Sequence, residues 1–202
     1  LCLAAFILAT PSAYSVCRHN LLLGQRDTRL EAAEWIEANV PDRSKIALVG
    51  SDYGYPRLRR SEVWLRERVA DLQSLDMPAR RLQLSMEAAR STVQPTYYTV
   101  EIIADGSNNL RSVWDDFDLP RLAREETRWV LLQDHPLAYS HADPSTIRAL
   151  SATASRVALF DPFADTKISP SFDPLDAYYV PMTGFDAVER PGPRIEIWRL
   201  NH

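Results

Sequence analysis

Apolar residues recur along this chain with two different periods, and the switches between them divide it into elements. "TRLEAAEWIEANVP" carries Leu30, Ala33, Ile36 and Val40, which lie on one stripe of a helix. Thr28 and Glu31 are spaced as a capping box, each side chain satisfying an orphan amide of the first turn, and Pro41 marks the end. "SEVWLRERVADL" repeats the spacing with Leu65, Val69 and Leu72. "PARRLQLSMEAAR" does so with Leu82, Met86 and Ala89, and Pro78 suits its first turn. A short helix is predicted in "LPRLAREE". Another follows Asp143, an N-cap with Pro144 behind it, and turns Ile147 and Leu150 inward.

Between these helices the pattern shortens. "KIALVG", Lys45 to Gly50, is a continuous apolar run, as expected of a strand covered on both faces. "TYYTVEIIA", Thr96 to Ala104, is β-branched and aromatic, and "DGSNN" from Asp105 reads as a loop. "RWVLLQD", Arg128 to Asp134, and "RVALFDPF", Arg156 to Phe163, are two further strands. Strands alternating with helices predict an α/β fold: three layers, with a mostly parallel sheet flanked by helices.

From Asp161 to Pro193 six prolines and no helical pattern appear. A loop that long is normally functional or docked on something. The chain then closes with "ERPGPRIEIWRL". Pro191 and Pro193 withhold amides, so strand pairing begins after them, and Gly192 lets the chain turn between them. Ile195 and Ile197 share one face of this strand, Glu196 and Trp198 the other. No crossover helix precedes it, so it is predicted to run antiparallel to its neighbour.

The first ten residues, "LCLAAFILAT", are nine-tenths apolar and uncharged. A membrane span needs about 20 such residues, so this stretch reads as the remnant of a membrane helix. Pro11, Ser12, Tyr14 and Arg18 follow, as at a membrane–water interface. The division expected is 1–23 as the end of a transmembrane helix with its juxtamembrane segment, and 24–202 as a soluble α/β domain. The competing readings are an export-signal remnant, for which "TPSAYS" offers a poor cleavage site and no basic region precedes, and a buried core helix.

Composition narrows the chemistry. The net charge is −4, which gives no general attraction to nucleic acid. Lys45 and Lys167 are the only lysines, so arginine is the default cation here and a weak sign of phosphate binding. Fourteen prolines against six glycines suggest stiff loops, and the turn "GSDYGYP" after Val49 lacks G-x-G-x-x-G. The cysteines, Cys2 and Cys17, would lie about 22 Å apart on one helix, too far for a disulfide. No metal cluster and no cofactor is called for.

In an open α/β sheet, ligands favour the crevice at the carboxyl ends of the strands. Those ends carry Ser51, Asp52 and Tyr53, then Asp105, then Asp134 and His135, then Asp161. Asp52, Tyr53, Asp134 and His135 are therefore candidate substrate-binding residues. A Ser–His–Asp triad is weighed against the ordinary polar exit from a sheet; no G-x-S-x-G elbow exposes the serine. His141 and Asp143 join Asp134 and His135 in "DHPLAYSHAD", but Pro136 and the spacing of the two histidines speak against a shared metal. "DAYYVPMTGF" contributes Tyr178 and Tyr179, either as a loop leaning on a membrane part and shaping an acceptor entrance, or as a loop packed over its own domain. "YPRLRRSEVWLRER" gathers Arg57, Arg59, Arg60, Arg66 and Arg68, either a patch for anionic lipid headgroups or a salt-bridged helix face.

Two stretches carry a family resemblance. "DTRLEAAEWIEANVPDRSKIALV" resembles the segment after the last membrane helix of polytopic GT-C type glycosyltransferases, of the protein-mannosyltransferase and lipid A aminoarabinose-transferase kind. "DAYYVPMTGFDAVERPGPRIEIWRL" resembles the C-terminal ending of the same proteins. Together they cover about a quarter of the chain. The resemblance implies a membrane-anchored, noncatalytic extracytoplasmic domain whose partner is its own upstream membrane portion. It implies a parent that moves a sugar from a polyprenyl-phosphate donor. The family's catalytic carboxylate lies between early membrane helices, so the resemblance assigns no catalytic residue to this chain. A reading from another class stays open: an independent exported hydrolase or small-ligand binder that uses the strand-end crevice.

Overall fold

The computed structural model describes residues 2–91, 93–103, 113–175 and 178–201, with the side chains of all but 2–9, 88 and 91. Asp105, the "DGSNN" loop and Asp176 fall outside the described residues. The elements in order are α1 (Cys2–Leu23), α2 (Thr28–Asn39), β1 (Lys45–Val49), α3 (Glu62–Ser74), α4 (Arg80–Ser91), β2 (Tyr98–Ile102), β3 (Val113–Trp114), α5 (Leu119–Arg124), β4 (Trp129–Asp134), α6 (Pro144–Thr153), β5 (Ala154–Phe160) and β6 (Arg194–Leu200). Among the described residues the sheet has six strands in the order β3-β2-β1-β4-β6-β5. β1, β2, β3 and β4 pair in parallel, and β6 runs antiparallel to both β4 and β5. The fold is the expected mixed α/β, with the antiparallel C-terminal strand.

The two apolar faces of the sheet explain the three layers. Ile46, Leu48, Tyr97, Leu131, Ile195 and Ile197 pack under Ala32 and Ile36 of α2 and Val40, its C-cap. Ala47, Val100, Leu132 and Trp198 pack on the other face with Leu122 of α5 and Leu150 of α6. Buried on both sides, β1 and β4 need continuous apolar runs, which is what "IALV" and "WVLL" supply. β6 is not the closing edge of the sheet; it lies between β4 and β5, and Ile195, Glu196, Ile197 and Trp198 are all buried. Glu196 is tolerated there because Arg156 and Arg194 each reach it at 3.1 Å. β5, at the edge, is bulged between Arg156 and Ala158 and half exposed.

Helix α2 departs from its expected cap and face. Asp27, not Thr28, is the N-cap, accepting from the Arg29 amide at 2.8 Å. Thr28 is the first helical residue and is buried, and its hydroxyl donates to the Pro193 carbonyl at 2.7 Å. Glu31 turns to Arg190 at 2.7 and 2.8 Å. The buried stripe is accordingly Thr28, Ala32 and Ile36, and Leu30 is exposed. The approach to β6 has displaced the capping box: the Thr28 amide donates to the Pro191 carbonyl at 3.0 Å, filling an orphan helix donor from the far end of the chain. Gly192 makes this contact possible. Its φ is 105°, and a Cβ there would lie 2.1 Å from the Thr28 hydroxyl oxygen.

Helix α1 runs unbroken through Pro11 to Leu23. Thr10 to Tyr14 are exposed, and Leu22 is buried against the domain. No helix of the described residues is long and apolar enough to cross a membrane.

Candidate functional site

The chain winds outward in both directions from β1, with β2 on one side and β4 on the other. That is the switch point at which open α/β sheets leave a crevice. A cleft of about 950 Å³ opens there, lined by Asp52, Tyr53, Asp115, Asp116, Tyr139 and Asp143 around the side chain of Gln133. The rings of Tyr53 and Tyr139 stand edge to face there, with centroids 6.1 Å apart. Asp143 is also the N-cap of α6, and its bonds from Ser145 hold its carboxyl below the usual carboxylate range.

The turn below the cleft shows what the glycines of "GSDYGYP" do. Gln133, on β4, is fully buried and donates from Nε2 to the Ser51 carbonyl at 2.9 Å. A Cβ on Gly50 would lie 2.0 Å from its Cγ, and one on Gly54 would lie 1.5 Å from its Oε1. The two glycines cradle a glutamine of their own domain, the place a phosphate takes in a nucleotide-binding turn.

Beneath this turn lies a closed polar cluster. The Tyr179 hydroxyl is 2.7 Å from Ser140 Oγ and 3.4 Å from Ser51 Oγ, and the two serine oxygens are 3.0 Å apart. Tyr179 is fully buried with φ at 59°, a left-handed conformation that a tyrosine holds only when its surroundings dictate it. His135 is buried beside it, with Phe172, Tyr179 and Phe163 at ring distances of 4.3, 4.8 and 5.6 Å. Its Nδ1 accepts from the Leu137 amide at 3.2 Å, which puts the proton of the neutral ring on Nε2. Among the described residues Nε2 has no hydrogen-bond partner, and burial lowers the pKa of the ring to about 4.

The six expected substrate-binding residues therefore do not converge. Asp52 and Tyr53 stand at the mouth of the cleft. His135 and Tyr179 are sealed beneath it. Asp134 accepts from the Ala142 amide at 3.0 Å and meets His141 at 3.1 Å, so it braces the loop after β4. Tyr178 points elsewhere, into a groove beside α1. No hydrogen bond links Ser51 to His135 among the described residues, and the neighbours of Ser51 Oγ are hydroxyls, which cannot serve as its base at neutral pH. Among the described residues no group of three or more metal-type side chains comes together. Of the arginines before and within α3, Arg59 pairs with Glu37, Arg60 with Glu101 and Arg66 with Glu62.

The second candidate surface lies where α1 meets the long loop. The Tyr14 hydroxyl donates to both oxygens of Asp186 at 2.9 and 2.8 Å, and Arg18 meets Asp186 at 3.0 Å. One turn further on, Leu22 joins Val180, Phe185 and Val188 in a separate apolar cluster, and His19 stands edge-on to Phe185. The aromatic loop thus does two things: Tyr179, Val180 and Phe185 pack into the domain, and the same stretch clasps α1. Beside the clasp runs a groove of about 840 Å³. Sequence spacing had no means to pair Tyr14 with Asp186, 172 residues away. No protein-family model, no curated protein and no solved structure matches this chain.

Proposed function

We propose that this chain is a noncatalytic extracytoplasmic domain of a membrane glycosyltransferase-like protein, held against the membrane portion and helping to position a donor or acceptor. The parent would transfer a sugar from a polyprenyl-phosphate carrier. The observation that carries the reading is the clasp on α1. A helix that begins with an uncharged apolar stretch is fastened by Tyr14, Arg18 and Leu22 to an aromatic loop of the domain. Such a clasp holds the domain in one orientation relative to the helix itself. Both stretches with the family resemblance contribute to the same corner, through Thr28 and Glu31 on one side and Pro191, Pro193 and Arg190 on the other.

A second reading, a small-ligand binder, draws on the strand-end cleft with Asp52 and Tyr53 at its mouth. The hydrolase form of that reading has less support, because among the described residues the hydrogen-bond partners of Ser51 Oγ are hydroxyls and include no base. The test is enzymatic and topological. The whole chain is expected to transfer no sugar from a polyprenyl-phosphate donor and to hydrolyse no ester. In cells making the parent protein, an impermeant maleimide is expected to reach Cys17, which is exposed, from outside the cytoplasmic membrane. Transferase or esterase activity that Ser51→Ala or His135→Ala abolishes would overturn the accessory-domain reading.

A further inference from the structure

The groove beside α1 is walled by Val16, His19 and Leu23 of the helix and by Leu175, Tyr178 and Met182 of the loop. Its apolar side chains are unusually open: Leu175 is 94% exposed, Tyr178 72% and Met182 55%. A contiguous apolar surface of this kind marks a contact with a protein or a membrane. Three features of the molecule select the membrane.

The first is continuity. The wall of the groove is α1 itself, and the twelve residues of that helix before the clasp, Cys2–Ala13, carry no charge. They extend about 18 Å at 1.5 Å per residue, against a half-thickness of about 15 Å for the hydrocarbon of a bilayer. If that stretch enters one leaflet, Tyr14 to Leu23 fall at the headgroup layer, and the groove falls with them. The second is composition. Tyr14 and Tyr178, both exposed, have an apolar ring and a polar tip, the side-chain type that collects at that layer. The third is charge. Arg18 is neutralised by Asp186, and among the described residues the lining adds one carboxylate, Asp173, and one imidazole, His19. A seat with no surplus of cations suits zwitterionic headgroups and offers nothing to anionic ones.

We propose that the tip of the long loop, Leu175 with Tyr178 and Met182, is a second membrane contact, entering the headgroup–acyl boundary of a zwitterionic bilayer next to α1. The proposal rests on the reading of α1 as the end of a membrane helix. The domain then stands on two points, the helix and the loop. Two points fix its tilt, which one helix alone leaves free.

The test is environment-sensitive labelling of the full chain on phosphatidylcholine vesicles. In a Cys2→Ser, Cys17→Ser background, a single fluorophore is placed by Leu175→Cys, Tyr178→Cys, Leu8→Cys or, as a control on α4, Leu84→Cys. Positions 175, 178 and 84 are exposed, so the labels need not disturb folding. Expected are a blue shift and loss of emission to a headgroup-proximal doxyl lipid at 175 and 178, with no change at 84, and no strengthening when anionic phosphatidylglycerol is added. Labels at 175 and 178 that stay in water while the label at 8 is quenched overturn the second contact and leave the anchored domain standing. A label at 8 that also stays in water removes both readings. A blue shift at 175 that grows with protein concentration before any vesicle is added marks a second copy of the chain in the groove, and overturns the lipid assignment.

Discussion

Replacing Leu22 by alanine is the sharpest probe of how α1 is held. Two kinds of contact compete for the credit. Asp186 takes one hydroxyl hydrogen bond from Tyr14, shared between its two oxygens, and an ion pair from Arg18, but its side chain is 51% exposed. Exposed ion pairs of this kind are weak, so Asp186→Ala should raise the open population of the helix by less than about fivefold. Leu22 is 3% exposed and packs on Val180, Phe185 and Val188, with Phe163 and Phe172 behind them. Truncating a buried leucine costs about 2–4 kcal/mol. If the loss is taken locally, by undocking of α1, that is about a 30- to 1000-fold larger open fraction. Limited trypsin digestion reads it directly, because Arg18 and Arg26 flank Leu22. Under conditions where opening is fast relative to cleavage, the cleavage rate follows the open population. Leu22→Ala should therefore accelerate cutting at Arg18 by a factor in that range, with the midpoint of domain unfolding moving little. Equal acceleration by Asp186→Ala would mean the polar clasp holds the helix, and the packing argument would be wrong.

Two further predictions concern the interior of the site. His135 has its folded-state pKa lowered by burial to about 4, from an ordinary 6.5, so the protonated form favours the unfolded chain. Its stabilising contribution is complete above pH 6.5 and is lost as the pH falls towards 4, up to about 3 kcal/mol. Urea titrations across that window should show a slope that His135→Gln flattens; an unchanged slope would place the titrating group elsewhere. Gly54→Ala should destabilise the fold by about 1–3 kcal/mol through overpacking against Gln133. The double variant Gly54→Ala, Gln133→Ala should be more stable than the sum of its singles by about 1–2 kcal/mol. Additive losses in denaturant unfolding would refute the contact.

The same contacts show which features local sequence sets. Strand and helix periods are enforced by backbone geometry over a few residues, so β1, β4 and β6 were legible from "IALV", "WVLLQD" and "RIEIWRL". The cap of α6 was legible for the same reason, since Asp143 and the amide it binds on Ser145 are two residues apart. The antiparallel sense of β6 followed from connectivity, because among the described residues no α-helix lies between it and β5. β3 was missed: a two-residue strand has no period to read. At α2 local reading went astray, because Thr28 and Glu31 had long-range claims on them that outweighed the capping box. Pro193 is 165 residues from Thr28, and Arg190 is 159 from Glu31.

The candidate site divides along the same line. Sequence alone determined that polar residues gather at the carboxyl ends of the strands, since a chain leaving a buried strand must regain water there. It determined too that an uncharged apolar stretch precedes the domain and that a long proline-set loop precedes its last strand. Tertiary structure decided which of those polar groups face a cleft. It left Asp52 and Tyr53 at the mouth and sealed His135 and Tyr179 beneath, because the returning loop lays Phe163, Phe172 and Tyr179 over the end of β4. It also gave β6 an interior place, and through Gly192 it tied the end of the chain to the start of α2. Burial and pairing of this kind depend on what arrives from tens of residues away, and at Gly192 from more than a hundred, and no local pattern encodes that.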